Sequence, residues 1–157
     1  MKPKFDILGY LQPYGLVDLT FEDFEQYFVA AYPASHTRSI IFEKYKRYLS
    51  DFQRLVSINF VHWIGGSFVT DIQNPNDIDF ITLVTYRVVT TKNHIIKEQF
   101  EGEKGYNTYD VDAYFIRTYP YGHDKYWIYE KDLVIWQNDF GTDRNNIPKG
   151  MVQIKFQ

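Results

Sequence analysis

Cysteine is absent from the chain. Disulfides and thiolate metal sites are thereby excluded, and a reducing interior is permitted as the working compartment. Long apolar runs are missing too. The stretch from Met1 to Gly15, where a leader would lie, is interrupted by Pro3, Asp6, Gly9 and Pro13. The expectation is a cytoplasmic protein with no targeting segment, no membrane span and no membrane partner. No run of Lys and Arg stands out against a net charge of −3, so a long nucleic acid is not an expected partner. Repeats, low-complexity tracts and linkers are also lacking.

What is present is ordinary in bulk. The 157 residues, 45% hydrophobic and 24% charged, suit one globular domain with a sizeable core. Aromatics are abundant at 19%, and core and surface filling explains them more simply than a stacking platform for bases. Residues 1–19, with Gly9, Pro13 and Gly15, read as an irregular arm. Residues 20–56 read as a helical pair and 57–157 as a sheet with helices. The first helix is capped by Thr20, with Glu22 and Asp23 in its first turn and Phe21, Phe24, Phe28 and Ala31 at helical spacing; Tyr32-Pro33 ends it. The second follows Ser35 or Thr37 and turns Ile41, Tyr45, Tyr48, Leu49, Phe52 and Leu55 to one side, leaving Lys44, Lys46 and Arg47 outside.

Strands are expected at Ser57–Ile64, Asp77–Thr85, Tyr109–Thr118 and Gly150–Phe156. Helices are expected at Thr90–Glu101, closed by Gly102 or Gly105, and at Asp124–Asp139, with Trp127, Leu133 and Trp136 inward. Glu101, Glu103 and Lys104 read as a solvated helix end. The fold class that results is α/β or α+β, a mixed sheet flanked by helices, with two helices ahead of the Gly-Ser turn.

One stretch does not fit a plain core strand. In WIGGSFVTDIQNPNDIDFITLV, Asp77 and Asp79 stand at i and i+2 and project to one side, while Ile78 and Phe80 go to the other. Two adjacent carboxylates repel unless a proton or a cation intervenes. A hard divalent cation with oxygen ligands, Mg²⁺ or Mn²⁺, neutralises such a pair. Upstream, Gly65-Gly66-Ser67 lets backbone approach a ligand closely, and a short helix through Phe68 to Ile72 would aim N–H groups at an anion. Phosphate at the turn and metal at the acids would together hold a nucleoside triphosphate. Plainer readings stand beside these: Asn74-Pro75-Asn76-Asp77 is a good turn that Asp77 alone would cap, and the glycines punctuate a turn. A later pair, Asp110 and Asp112, shares one face of the expected third strand and is the source of a third acid, or else the polar face of an edge strand. His36, His62, His94 and His123 have no spacing that suits a zinc site.

Gly66-Ser67, nine residues, then Asp77-Ile78-Asp79 resembles the signature of the polymerase-beta-like nucleotidyltransferase superfamily. Chance supplies four such matches in on the order of one chain in a hundred, given residue frequencies of roughly 5–7%. The resemblance implies that Gly65, Gly66 and Ser67 hold the triphosphate. It also implies that Asp77 and Asp79 bind two metal ions and that a third acid, preferably Asp112 because the apolar AYFI follows it, completes the site. Asp110 is the weaker choice. The activity implied is transfer of a nucleoside monophosphate to an acceptor hydroxyl on a protein, an RNA end or a small molecule, with release of pyrophosphate. By analogy, a toxin-like protein partner would suit a minimal enzyme of this kind. A non-catalytic nucleotide- or partner-binding module on the same fold is the alternative. One departure favours that alternative: many active members carry a basic residue after the Gly-Ser, where this chain has Phe68-Val69-Thr70-Asp71. Lys92, Lys97, Arg144 and Lys149 are the other sources of that charge. The whole chain also resembles an uncharacterised bacterial family through ILGYLQPYGLVDLT, EDFEQYFV, Arg38 in SHTRSIIF, GGSFVT with PNDID, VDAYF and DFGTDRNNIPKGMVQI. That likeness implies a fold and a type of site, and no substrate.

Overall fold

A computed structural model describes residues 2–157. Its first strands are β1 (Lys4–Phe5), β2 (Leu11–Gln12) and β3 (Gly15–Asp18). Next come α1 (Phe21–Glu25), continued by a π-helical turn at Gln26–Ala30, and α2 (Arg38–Leu55). Then follow β4 (Phe60–Gly65), a 3-10 turn at Ser67–Val69 and β5 (Asp79–Thr85). The chain ends with α3 (Tyr86–Ile95) and its π-helical continuation Ile96–Phe100, α4 (Gly102–Tyr109), β6 (Asp112–Thr118), α5 (Tyr126–Gly141) and β7 (Gly150–Phe156). The main sheet has five strands in the order β3-β7-β4-β5-β6. β3 runs parallel to β7 and β5 parallel to β6, while β4 is antiparallel to both of its neighbours. The fold is thus an α/β (α+β) one, a mixed sheet flanked by helices.

The period-2 alternation of the strands divides the sheet's two faces. Phe60 and Ile64 of β4, Phe80 and Val84 of β5, and Val152 and Ile154 of β7 enter the main core. There they meet Phe24 and Phe28 of the first helical stretch and Ile41, Phe42, Tyr45, Tyr48, Leu49 and Phe52 of α2. Most of the aromatic excess is spent here: Tyr48 alone packs against Phe52, Phe80, Phe100 and Tyr109. The opposite face carries Trp63, Ile81, Leu83, Ile116 and Met151 and is covered by α5 through Tyr129, Leu133, Trp136 and Phe140.

Local chemistry explains the helix starts. Thr20 accepts from the Asp23 N–H at 3.0 Å, ahead of Glu22 and Asp23, as a capping residue should. Ser35 Oγ accepts the Arg38 N–H at 3.1 Å at the head of α2.

Several expectations are corrected. The arm holds a small β1-β2 hairpin, and β3 joins the main sheet against β7; that partner lies too far along the chain to be seen locally. The helix expected from Thr90 starts at Tyr86, capped by Thr85, and the hydroxyls of Thr90 and Thr91 bond back to the carbonyls of Tyr86 and Arg87. The polar stretch Gly102–Tyr109 is itself a helix, α4, so Tyr109 ends a helix instead of opening a strand. Trp127 is exposed, and α5 buries no residue fully. Among the described residues, no helix is long and apolar enough to cross a membrane.

Candidate metal and phosphate site

Asp79 opens β5. Its backbone is in register with Gly65, the last residue of β4, and with Asp112, the first residue of β6. These residues form one row across the edge of the sheet. Ile78 and Phe80 are wholly buried in the main core, so Asp79 projects toward the α5 side. Asp77 lies just ahead of the strand, not within it. The pairing reaches as far as its neighbour Ile78, whose carbonyl accepts the Asp112 N–H at 3.0 Å.

Carboxylate oxygens of Asp77, Asp79 and Asp112 all lie within 4.8 Å of one another, and each residue is half-buried. No other such group of acids and histidines occurs among the described residues. Burial first, then the bond and charge of Asp112 and the charge of Asp77, push the Asp79 carboxyl up to about 7. Burial and the charges of Asp112 and Asp110 also raise Asp77. A donor set made only of carboxylate oxygens fits a hard divalent cation such as Mg²⁺ or Mn²⁺.

Gly66 turns the chain out of β4 with φ of +70°, a region L side chains avoid. A Cβ there would collide with the Asp79 carboxylate. Gly66 therefore serves both the turn and the room the acid needs. Gly65 has a different reason: a Cβ on it would come within 2.6 Å of the Phe140 ring of α5. The expected helix through Phe68 to Ile72 is only the 3-10 turn Ser67–Val69, too short to present a helix end to an anion. Ser67 borders an open cleft of about 620 Å³, lined also by Gly66, Asp71, Lys149 and the hairpin loop Asp6–Tyr10.

Arg38 holds the strand-to-strand loop from beneath, and the sequence pattern had given it no role. It is 1% exposed and donates to the carbonyls of Phe28 at 2.8 Å, Phe68 at 2.7 Å, Thr70 at 2.9 Å and Ile72. Its guanidinium also sits 4.0 Å from the Tyr32 ring centre. No local signal marks this residue, since its partners come from two distant segments.

Asp110 is not on the Asp112 face. It caps α4 in the left-handed conformation, φ 58°, and its exposed carboxylate pairs with Lys44 at 2.6 Å. Of the four cation sources, only Lys149 is brought to the cleft. Arg144 is exposed in the α5-β7 loop, and Lys92 and Lys97 are exposed on α3 and its continuation. Tyr114, two residues beyond Asp112 on the same face, packs against Trp136 with ring centres 4.9 Å apart and rings tilted by 44°, and walls the acids on the α5 side. The histidines are scattered. His62 is a buried core residue whose Nδ1 meets the Tyr45 hydroxyl at 2.7 Å and whose Nε2 meets the Thr82 hydroxyl at 2.9 Å.

The chain belongs to the Family of unknown function (DUF6932), which it matches over residues 3–155. Neither a curated protein nor a solved structure matches it.

Proposed function

We propose that the protein is a nucleotidyltransferase that moves a nucleoside monophosphate from a nucleoside triphosphate to an acceptor hydroxyl. The observation that carries this reading is the convergence of Asp77, Asp79 and Asp112 beside Gly66, at the edge of one sheet. The three carboxylates would hold two Mg²⁺ or Mn²⁺ ions, which when bound supply charge neutralisation at the attacking and leaving oxygens. The acceptor oxygen forms its bond to the α-phosphorus as the bond from that phosphorus to the bridging β-oxygen breaks. Pyrophosphate leaves with the electron pair. In this reading Asp112, on the outer strand, takes the acceptor's proton and passes it to solvent. Gly66 and Ser67 border the departing phosphates, and Gly66 lets them come close to backbone. Tyr114 limits the space on the α5 side and helps exclude water.

A protein side chain suits the acceptor better than a long nucleic acid, given the net charge of −3. A toxin-like protein partner remains within this proposal, by analogy alone. A second reading, a nucleotide- or partner-binding module without turnover, is favoured by one observation: Phe68 and Val69, which follow Ser67, are buried apolar residues with no charge to offer. Incubation of the protein and a host lysate with each α-labelled triphosphate and Mg²⁺ or Mn²⁺ separates the two. Label on a lysate component identifies the acceptor and supports transfer. Triphosphate binding with no label on anything supports the binding module.

A further inference from the structure

α5 meets the sheet unevenly. At its C-terminal end Trp136 and Phe140 close on Tyr114, with ring centres 4.9 and 6.2 Å away, and Phe140 lies against Gly65. Toward its start, Tyr129, Leu133 and Gln137 follow at intervals of four and form one stripe of the helix. None of the three is fully buried, and a cavity of about 450 Å³ lies between that stripe and the sheet. Leu83, Thr85 and Thr118, at the closing ends of β5 and β6, border it. Asp79 and Asp112 open the same two strands, so the cavity and the acids lie at opposite ends of the sheet.

The floor of this cavity is apolar and fixed. Val61, Trp63 and Leu83 supply it from the sheet. The Trp63 indole N–H donates to the Gln153 side chain at 2.8 Å, and the Gln153 amide in turn donates to Asp18. That row across β4, β7 and β3 holds the indole in place and engages the Asp18 carboxylate. The polar groups stand at the mouth. Register sets Lys155 opposite Val61 and Gln153 opposite Trp63, so both project on the α5 face. Lys155 is the one charged residue lining the cavity, and among the described residues it makes no ion pair within 4.0 Å. Small-molecule sites have this build, an apolar concavity of roughly 300–1,000 Å³ with a few polar groups that fix orientation.

We propose that this cavity is a second ligand site, at the far end of the sheet from the acids, and that it takes a small amphipathic anion. The ligand's ring or short chain lies between Leu133 of α5 and Val61 of β4, and its one anionic group, such as a carboxylate, meets Lys155. The lysine sets the sign of the ligand's charge. An amine would bring like charge to Lys155, and a neutral apolar molecule would leave the ammonium without a partner. Thr118 and Gln137 are left to receive a second polar group. The inference does not depend on the nucleotidyl-transfer reading, since no acid or glycine of that site lines the cavity.

Anilinonaphthalene sulfonate is the probe, an apolar aromatic body with one anionic group. Phenylnaphthylamine, which has the rings and no charge, is the comparison. Fluorescence titrations are run on the folded parent, Lys155→Gln and Gln137→Trp; both replaced residues are exposed, so the fold is kept. The parent should bind both probes saturably. Lys155→Gln should bind the sulfonate about five-fold more weakly, the size of a partly solvated charge pair, with the uncharged probe unaffected. Gln137→Trp, whose ring covers the mouth, should weaken both probes. No saturable binding by the parent overturns the site. Equal sulfonate affinity in the parent and Lys155→Gln overturns the anionic ligand. Unchanged affinity for both probes in Gln137→Trp puts the binding elsewhere on the surface and overturns the cavity assignment.

Discussion

At the residue scale, Asp79 carries the site's tension. A carboxyl raised in the folded state holds its proton where the unfolded chain has lost it. Between pH 4 and 7 the folded apo protein therefore binds more protons than the unfolded one, and stability from this group falls as pH rises. The slope is at most about 1.4 kcal/mol per pH unit, less the screening by solvent that still reaches the group. Asp79→Asn removes the slope. Thermal melts without metal should show the variant gaining on the parent from pH 5 to pH 8; a constant difference across that range would mean that Asp79 is not held against its neighbours. Gly66 and Ser67 make a second residue-scale contrast. Gly66→Val forces a Cβ into the Asp79 carboxylate at a positive φ, and tripolyphosphate binding should fall by orders of magnitude more than in Ser67→Ala. Equal small losses in the two variants would remove phosphate from the turn.

At the element scale, the loop from Ser67 to Ile72 has little regular structure, and Arg38 stands in for it. Replacing Arg38 with Lys keeps the charge but cannot reach four carbonyls from two segments at once. The unsatisfied carbonyls and the buried charge should lower stability by about 3 kcal/mol. Hydrogen exchange should then quicken in residues 68–72 while α2 stays protected. Exchange that quickens evenly along the chain would make Arg38 an ordinary core residue. The same element shows what the sequence conceals. Gly66, Ser67 and the two acids were legible because they lie within fifteen residues and break a strand pattern. Arg38 was not, because its partners are backbone groups that no residue type announces. Strand spacing puts Asp110 and Asp112 on one face, and only the apolar AYFI after Asp112 favours it in the sequence. A left-handed cap at Asp110 separates them, and α4 was hidden by its two glycines and polar surface. The strands of the arm were hidden by their length, and β3 by a partner at the other end of the chain.

At the scale of the whole molecule, one sheet separates a large aromatic core from a thin layer under α5, and the acids open on the thin side. The thick side holds a titrating group as well. Burial pushes His62 down to about 3, so the folded state keeps it neutral where an unfolded histidine would be charged. Stability from this group is full above the unfolded pKa of 6.5 and is lost as pH falls from there toward 3. Its sign is opposite to that of Asp79, so the two partly offset each other in the apo protein between pH 4 and 6.5. His62→Gln should melt lower than the parent at pH 7.5, because it disturbs the bonds to Tyr45 and Thr82. The gap should narrow as pH falls to 4. A gap that stays constant would show that His62 is not the acid-sensitive group.

The three acids bear on function only if they hold metal. A Mn²⁺ titration followed by electron paramagnetic resonance, run on the parent, Asp79→Asn and Asp110→Asn, asks this of the molecule itself. Bound Mn²⁺ is expected in the parent and in Asp110→Asn, whose carboxylate is turned to Lys44, and should be absent in Asp79→Asn. Equal Mn²⁺ binding by the parent and Asp79→Asn, or none by the parent with or without triphosphate, would contradict a metal site at Asp77, Asp79 and Asp112.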